Sequence, residues 1–178
     1  MTTLCENYAC TAHDAGGGSQ NHIMLGAFDA WIAAALGGLD TAVNGTTGGW
    51  RHVVARVAPA AITVLGEGGA AHNTRLGHVA LGWTWDASTA KLHMNLTLPV
   101  GATAEVHSPL ALRDGALGRA YRLQAVYRSG RQVWHAETAV AAYTADTTDA
   151  AEGLGTAAVV HQVGSGTSFL QSKYELVE

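Results

Sequence analysis

The chain's 178 residues are enough for one domain with a buried core, or one domain with a short appendage. Charged residues make up 13% and hydrophobic residues 48%, against a usual charged share of roughly 25%, which excludes long disordered stretches. The net charge of −4, with no run of Lys or Arg, excludes a surface that tracks phosphates, so no nucleic acid is expected as a partner.

In chain order, the first 19 residues are polar and end in a Gly-rich run, Ala15-Gly16-Gly17-Gly18-Ser19, which reads as loop. They lack the basic and apolar regions of an export signal, so a cytoplasmic chain is favoured. Cys5 and Cys10 could close only a very small loop and are expected to be free thiols. From Gln20 to Leu36, apolar residues recur at three and four, Ser19 supplies an N-cap and Gly37-Gly38 a stop, which predicts a helix over 20–36. Gly26 and Asp29 interrupt that stretch, which falls short of the roughly 20 apolar residues of a spanning segment, so no membrane role is expected.

Beyond Asn44-Gly45 and Gly48-Gly49 the pattern becomes short apolar alternations separated by turn residues. This predicts a mainly β fold, an antiparallel two-sheet β-sandwich preceded by one helix. The clearest strands put Val79, Leu81, Trp83 and Trp85 on one face, and Leu92, Met94, Leu96 and Leu98 on another. Both tryptophans are assigned to the core rather than to a sugar-stacking surface. Further strands are predicted at 51–57, 61–65, 103–107, 121–128, 133–143, 157–163 and 168–177, with a hairpin turn at Ser129-Gly130 and a loop at 145–155. The nine histidines show no metal-ligand spacing, so neither a metal nor a cofactor is expected. The sequons at Asn44 and Asn95 would matter only in a secreted product.

Several segments match a known pattern. Thr2-Thr3-Leu4-Cys5-Glu6, then a Gly-rich gap, Ser19-Gln20-Asn21-His22-Ile23-Met24-Leu25-Gly26 and Trp31 resemble the end of the catalytic domain of α-L-rhamnosidases. Gly49-Trp50-Arg51-His52-Val53-Val54-Ala55-Arg56-Val57 is similar to the passage into that family's terminal sandwich. Leu92 to Ala104 resembles one of its strand pairs, and Val163-Gly164-Ser165-Gly166 its closing hairpin. The resemblance runs from Thr2 to about Tyr174. It implies that residues 1–44 are a remnant of an (α/α)6 catalytic toroid, including helix 20–36, and that 45–178 are the C-terminal β-sandwich domain. Cys5 stands where the family has a Trp before the Glu.

The family inverts configuration, which requires two carboxyl groups roughly 6.5–9.5 Å apart on opposite sides of the scissile bond. The resemblance makes Glu6 the general base and places His22 and Asn21 at the sugar. On the residues alone, Glu6 is a solvated charge, His22 a partner for a backbone carbonyl, and Asn21 a cap. In the family the general acid lies far upstream, outside this chain. Two readings follow: a rhamnosidase-derived module serving as a structural or interaction subunit, or one piece of a split or longer enzyme that removes terminal α-L-rhamnose. The opening Met directly before Thr2 favours the first. Helix 20–36 carries more apolar surface than one contact face covers, so association with a larger subunit or with itself is expected through Phe28, Trp31 and Ile32. An α-L-rhamnoside is expected as a ligand if a toroid partner exists.

Overall fold

The computed structural model describes residues 23–41, 50–136 and 158–177. Two units separate between Ile32 and Ala33. The predicted helix is described as α1, Ile23–Ala35. Strands β1 (Leu39–Thr41) and β2 (His52–Arg56) follow, then helix α2 (Pro59–Leu65), and strands β3 (Glu67–Thr74), β4 (Gly77–Asp86), β5 (Lys91–Leu98), β6 (Thr103–Pro109), β7 (Ala111–Asp114), β8 (Arg119–Arg128), β9 (Arg131–His135), β10 (Ala158–Val163) and β11 (Gly166–Val177). Among the described residues no helix is long and apolar enough to cross a membrane.

The strands form two sheets, one in the order β1-β2-β6-β10 and one in the order β3-β4-β5-β11-β8-β7, with β9 also on β8. Pairing is antiparallel throughout except for β2 and β6, which run parallel. The first sheet begins at Leu39, which is 1% exposed and pairs with Ala55, ahead of residue 45. The alternations select the core as expected: Val79, Leu81, Trp83, Leu92, Met94, Leu96 and Leu98 are buried, and Trp85 packs half-buried against them. Val53, Ala55, Ala104 and Val106 of the smaller sheet belong to the same core. Fully burying a Leu or Val stabilises by about 1.5–3 kcal/mol, so this parity fixes which face of each strand turns to the core.

Three expectations are corrected. Residues 61–65 are not a strand but most of α2. Pro59 sits in its first turn, where the missing N–H is not needed. Gly66 closes it with φ +76 and an N–H donated to the Ile62 carbonyl, a left-handed cap that suits glycine. One side of this short helix buries Ala61 and Ile62. Second, Leu92 to Ala104 is not a strand pair, because β5 and β6 lie in different sheets. Third, Val163-Gly164-Ser165-Gly166 is no hairpin, since it carries the chain from β10 in one sheet to β11 in the other. In both cases alternation marks a strand's buried face without naming the strand beside it.

The turns match their chemistry. Ser129 (φ 48) and Gly130 (φ 81) give the doubly positive hairpin turn that fits strand twist. Between β4 and β5 the Asp86 carboxylate accepts hydroxyl bonds from Ser88 and Thr89, each at 2.6 Å. These bonds, joined by the backbone N–H groups of the same residues, hold its pKa down to about 2. The predicted strand 133–143 is described only as far as residue 136, and the predicted loop 145–155 lies outside the described residues.

Candidate functional site

Glu6, Asn21 and His22, as well as Cys5 and Cys10, lie outside the described residues. Phe28, Trp31 and Ile32 fall on consecutive turns of α1 and are 61%, 55% and 37% exposed. The Phe28 and Trp31 rings stack with centroids 5.8 Å apart, as an i, i+3 pair can.

Two polar clusters occur in the sandwich, one on each sheet's outer face. On the smaller sheet, the parallel pairing sets His52 opposite Thr103, and Glu105 lies two residues further along β6. His52 Nδ1 is 2.9 Å from the Thr103 hydroxyl and its Nε2 is 3.4 Å from Glu105. His107 approaches the other Glu105 oxygen at 3.8 Å, and the Gln162 amide donates to Glu105 at 2.9 Å. Burial pushes the Glu105 pKa up, but the bonds from Gln162 and His52 and the charge on both histidines outweigh it, and the net direction is down. Hydroxyl, imidazole and carboxylate stand in the order of a nucleophile, its base and the base's orienter. The Thr103 N–H, however, already donates to the Arg51 carbonyl at 2.9 Å, so the backbone donor beside the hydroxyl is not free to hold an oxyanion. Thr103, His52, Gln162 and Glu105 engage one another, whereas the buried His107 Nε2 has no hydrogen-bond partner among the described residues, and the cluster cross-links β2, β6 and β10.

The seven-stranded sheet differs. Its register aligns Glu67 of β3 with Thr84, Thr84 with His93, His93 with Gln171, and Gln171 with Tyr127. A row of polar side chains thus crosses five strands on the outer face. One pair further along, Gly69 faces Gly82, Gly82 faces Asn95, and Asn95 faces Phe169. Gly82 lowers the floor, and the face holds a depression of about 680 Å³ whose lining includes Glu67, Thr84, His93, Asn95, Phe169 and Gln171. Phe169 is 57% exposed at its edge. Glu67 is the one charged residue among those lining it. None of the side chains of Thr84, His93, Asn95, Tyr127 or Gln171 is hydrogen-bonded to another described residue, so among the described residues their donors and acceptors are unspent.

Sequence reading missed this depression. Its polar residues Thr84, His93, Asn95 and Gln171 occupy the outward positions of their strands, the ordinary signature of a solvated face. The available signal was Gly82, a glycine inside the strongest strand of the chain, which marks a bulge or a close approach. Among the described residues no group of three His, Cys, Asp or Glu could hold a metal ion.

Residues 42–119 match the family described as bacterial alpha-L-rhamnosidase C-terminal domain, a stretch that contains β2 through β7. The solved α-L-rhamnosidase from Dictyoglumus thermophilum is similar in fold, with a TM-score of 0.56 and 21% identity over 89% of this chain. The Streptomyces avermitilis α-L-rhamnosidase, solved with L-rhamnose, gives 0.52 and 19% over 96%. The chain spans 15% and 14% of those two proteins. No curated protein matches by sequence. Residues 42–119 therefore carry the pattern of the bacterial alpha-L-rhamnosidase C-terminal domain, on a fold shared with two solved α-L-rhamnosidases.

Proposed function

We propose that this chain is the C-terminal module of an α-L-rhamnosidase-like glycoside hydrolase and acts as a non-catalytic structural or interaction subunit. The carrying observation is the family match over the heart of the sandwich, together with the make-up of the depression, where Glu67 is the lone carboxylate. Hydrolysis of a glycoside by inversion or retention takes two. In this reading residues 1–44 are a toroid remnant, Glu6 descends from the family's general base, and Asn21 and His22 from its sugar contacts. The pure chain should not turn over p-nitrophenyl α-L-rhamnoside, because the general acid alone is worth roughly 10²–10⁴ in rate and the walls that orient the sugar are worth more. Turnover that disappears in Glu6→Gln would overturn the proposal in favour of the alternative, a piece of a split or longer enzyme that removes terminal α-L-rhamnose by inversion.

The exposed Phe28–Trp31–Ile32 face of α1 supports an interaction role, since aromatic residues clustered on an exposed surface typify protein contacts. A larger subunit or a second copy of this chain would cover it. By light scattering at micromolar concentration the chain should be a dimer, or enter a complex with its co-purifying subunit. The double change Phe28→Asp and Trp31→Ser should dissociate either one while leaving the sandwich's thermal midpoint in place. A monodisperse monomer that recovers no subunit from its native source would refute this.

A further inference from the structure

We propose that the depression on the outer face of the seven-stranded sheet binds a neutral oligosaccharide, laid along the Glu67–Thr84–His93–Gln171–Tyr127 row with one ring against Phe169. The inference stands on the chemistry of this face and not on the reading of the chain as part of an enzyme.

The length of the row comes first. Five adjacent strands span four inter-strand steps, about 19 Å at the usual strand spacing, which is too long for one sugar ring and suits a chain of several. The chemistry of the row comes second. An amide, an imidazole and two hydroxyls, from Gln171, His93, Thr84 and Tyr127, offer both donors and acceptors. None is engaged with another described residue, in contrast to the other sheet, where Gln162, His52 and Thr103 are bonded within their own cluster. Groups held on rigid strands and not bonded to other described residues lose little freedom when a ligand's hydroxyls bond to them.

Third, Phe169 presents an exposed ring directly opposite Asn95, an apolar platform beside polar groups, as a pyranose with its apolar and hydroxylated faces requires. Charge removes the competing ligands. Among the described residues no Lys or Arg lines the depression, so nucleotides and phosphates meet no counter-charge from them, and Glu67 at one end of the row repels acidic sugars.

Gly82 supplies the test. A Cβ at Gly69 would press on the Leu81 carbonyl, so packing demands glycine there. At Gly82 a Cβ would meet nothing within 4 Å and the backbone is open to any residue. A Trp at this position should therefore fill the depression without straining the sheet, and strand propensity favours it over glycine.

The full chain would be titrated with cellotetraose, xylotetraose and maltotetraose, with tetragalacturonate as the acidic counterpart. Binding would be followed by calorimetry and by the NMR signals of His93 and Phe169. At least one neutral tetrasaccharide should shift both signals. Its affinity should fall by about tenfold or more in Gly82→Trp and in Phe169→Ala, with thermal midpoints kept to within about 2 °C. Tetragalacturonate should bind at least about tenfold more weakly and recover in Glu67→Gln. The proposal is overturned if no neutral tetrasaccharide shifts the two signals, if binding survives both substitutions, or if the acidic chain binds as tightly as the neutral ones.

Discussion

Replacing Trp83 with alanine is expected to destabilise the sandwich by about 3–5 kcal/mol, the usual cost of a large aromatic deleted from a packed core. Trp83 is 2% exposed and lies between its two register partners, Gly68 on β3 and Met94 on β5. A Cβ at Gly68 would lie 2.7 Å from the indole Cζ2 and 2.9 Å from Cε2, so the ring rests on bare backbone. The strands cannot close over the space it would leave without breaking their ladder. The indole N–H also donates to the Leu36 carbonyl at 3.1 Å, tying the segment after α1 to the middle of β4. Trp83→Phe removes that bond but keeps most of the volume and should cost about 1–2 kcal/mol. Gly68→Ala attacks the same contact from the other side and should cost about 1–3 kcal/mol by overpacking. Urea unfolding checks all three through the midpoint at constant slope. A loss below about 1 kcal/mol for Trp83→Ala would mean that the indole is not the keystone of the large sheet.

How much of this was legible follows the strength of the pattern. The strands β4 and β5, with four large apolar residues each on one parity, declared both their existence and their buried face. The strand β3 did not, because Glu67-Gly68-Gly69-Ala70-Ala71 contains no large apolar residue. Its fit depends on small size under Trp83, a property of the neighbour. The strands β1 and β7 are three and four residues long, too short for alternation to register. Helix α2 was within reach, since Pro59 and Gly66 bracket it with start and stop residues. The β-branched run Ile62-Thr63-Val64 hid it.

The polar faces were harder for a different reason. Nothing local links Glu67, Thr84, His93, Gln171 and Tyr127. Their alignment is a product of four separate strand pairings, one of which joins β5 to β11 across more than 70 residues of sequence. The same holds for His52 and Glu105, which meet because β2 and β6 run parallel, an arrangement that alternation alone could not distinguish from the antiparallel one. Sequence gives each strand's two faces. Which polar residues become neighbours is settled by register, and register is settled by the core. The residues most visible in the motif, Glu6, Asn21 and His22, fall outside the described residues, whereas the candidate binding face was visible only after the sheet was assembled.

Substituting Tyr174 tests how the two sheets are held to each other. Its hydroxyl donates to the Pro109 carbonyl at 3.0 Å, and two residues earlier Ser172 donates to Ser108 at 2.9 Å. All four positions are buried, and each bond runs from β11 in the large sheet to β6 in the small one. The ring also takes the edge of Trp85, with centroids 5.7 Å apart. Tyr174→Phe keeps the ring but leaves a buried carbonyl without its donor, so it should cost about 1–3 kcal/mol, and Tyr174→Ala about 3–5. Either serine changed alone to Ala strands the other hydroxyl, whereas the double change Ser108→Ala with Ser172→Ala should be milder than the sum of the two, because both unmet groups are gone. Alkaline unfolding separates the phenol from mere packing. Burial pushes the Tyr174 pKa well above its ordinary value of 10.0, so the folded chain keeps the proton while the unfolded chain gives it up. The stabilisation is therefore complete below pH 10 and declines as pH rises further. Tyr174→Phe should remove that alkaline decline while lowering stability at neutral pH. If the variant loses stability at neutral pH but keeps the same alkaline decline, the hydroxyl is not the group that links pH to the joining of the sheets.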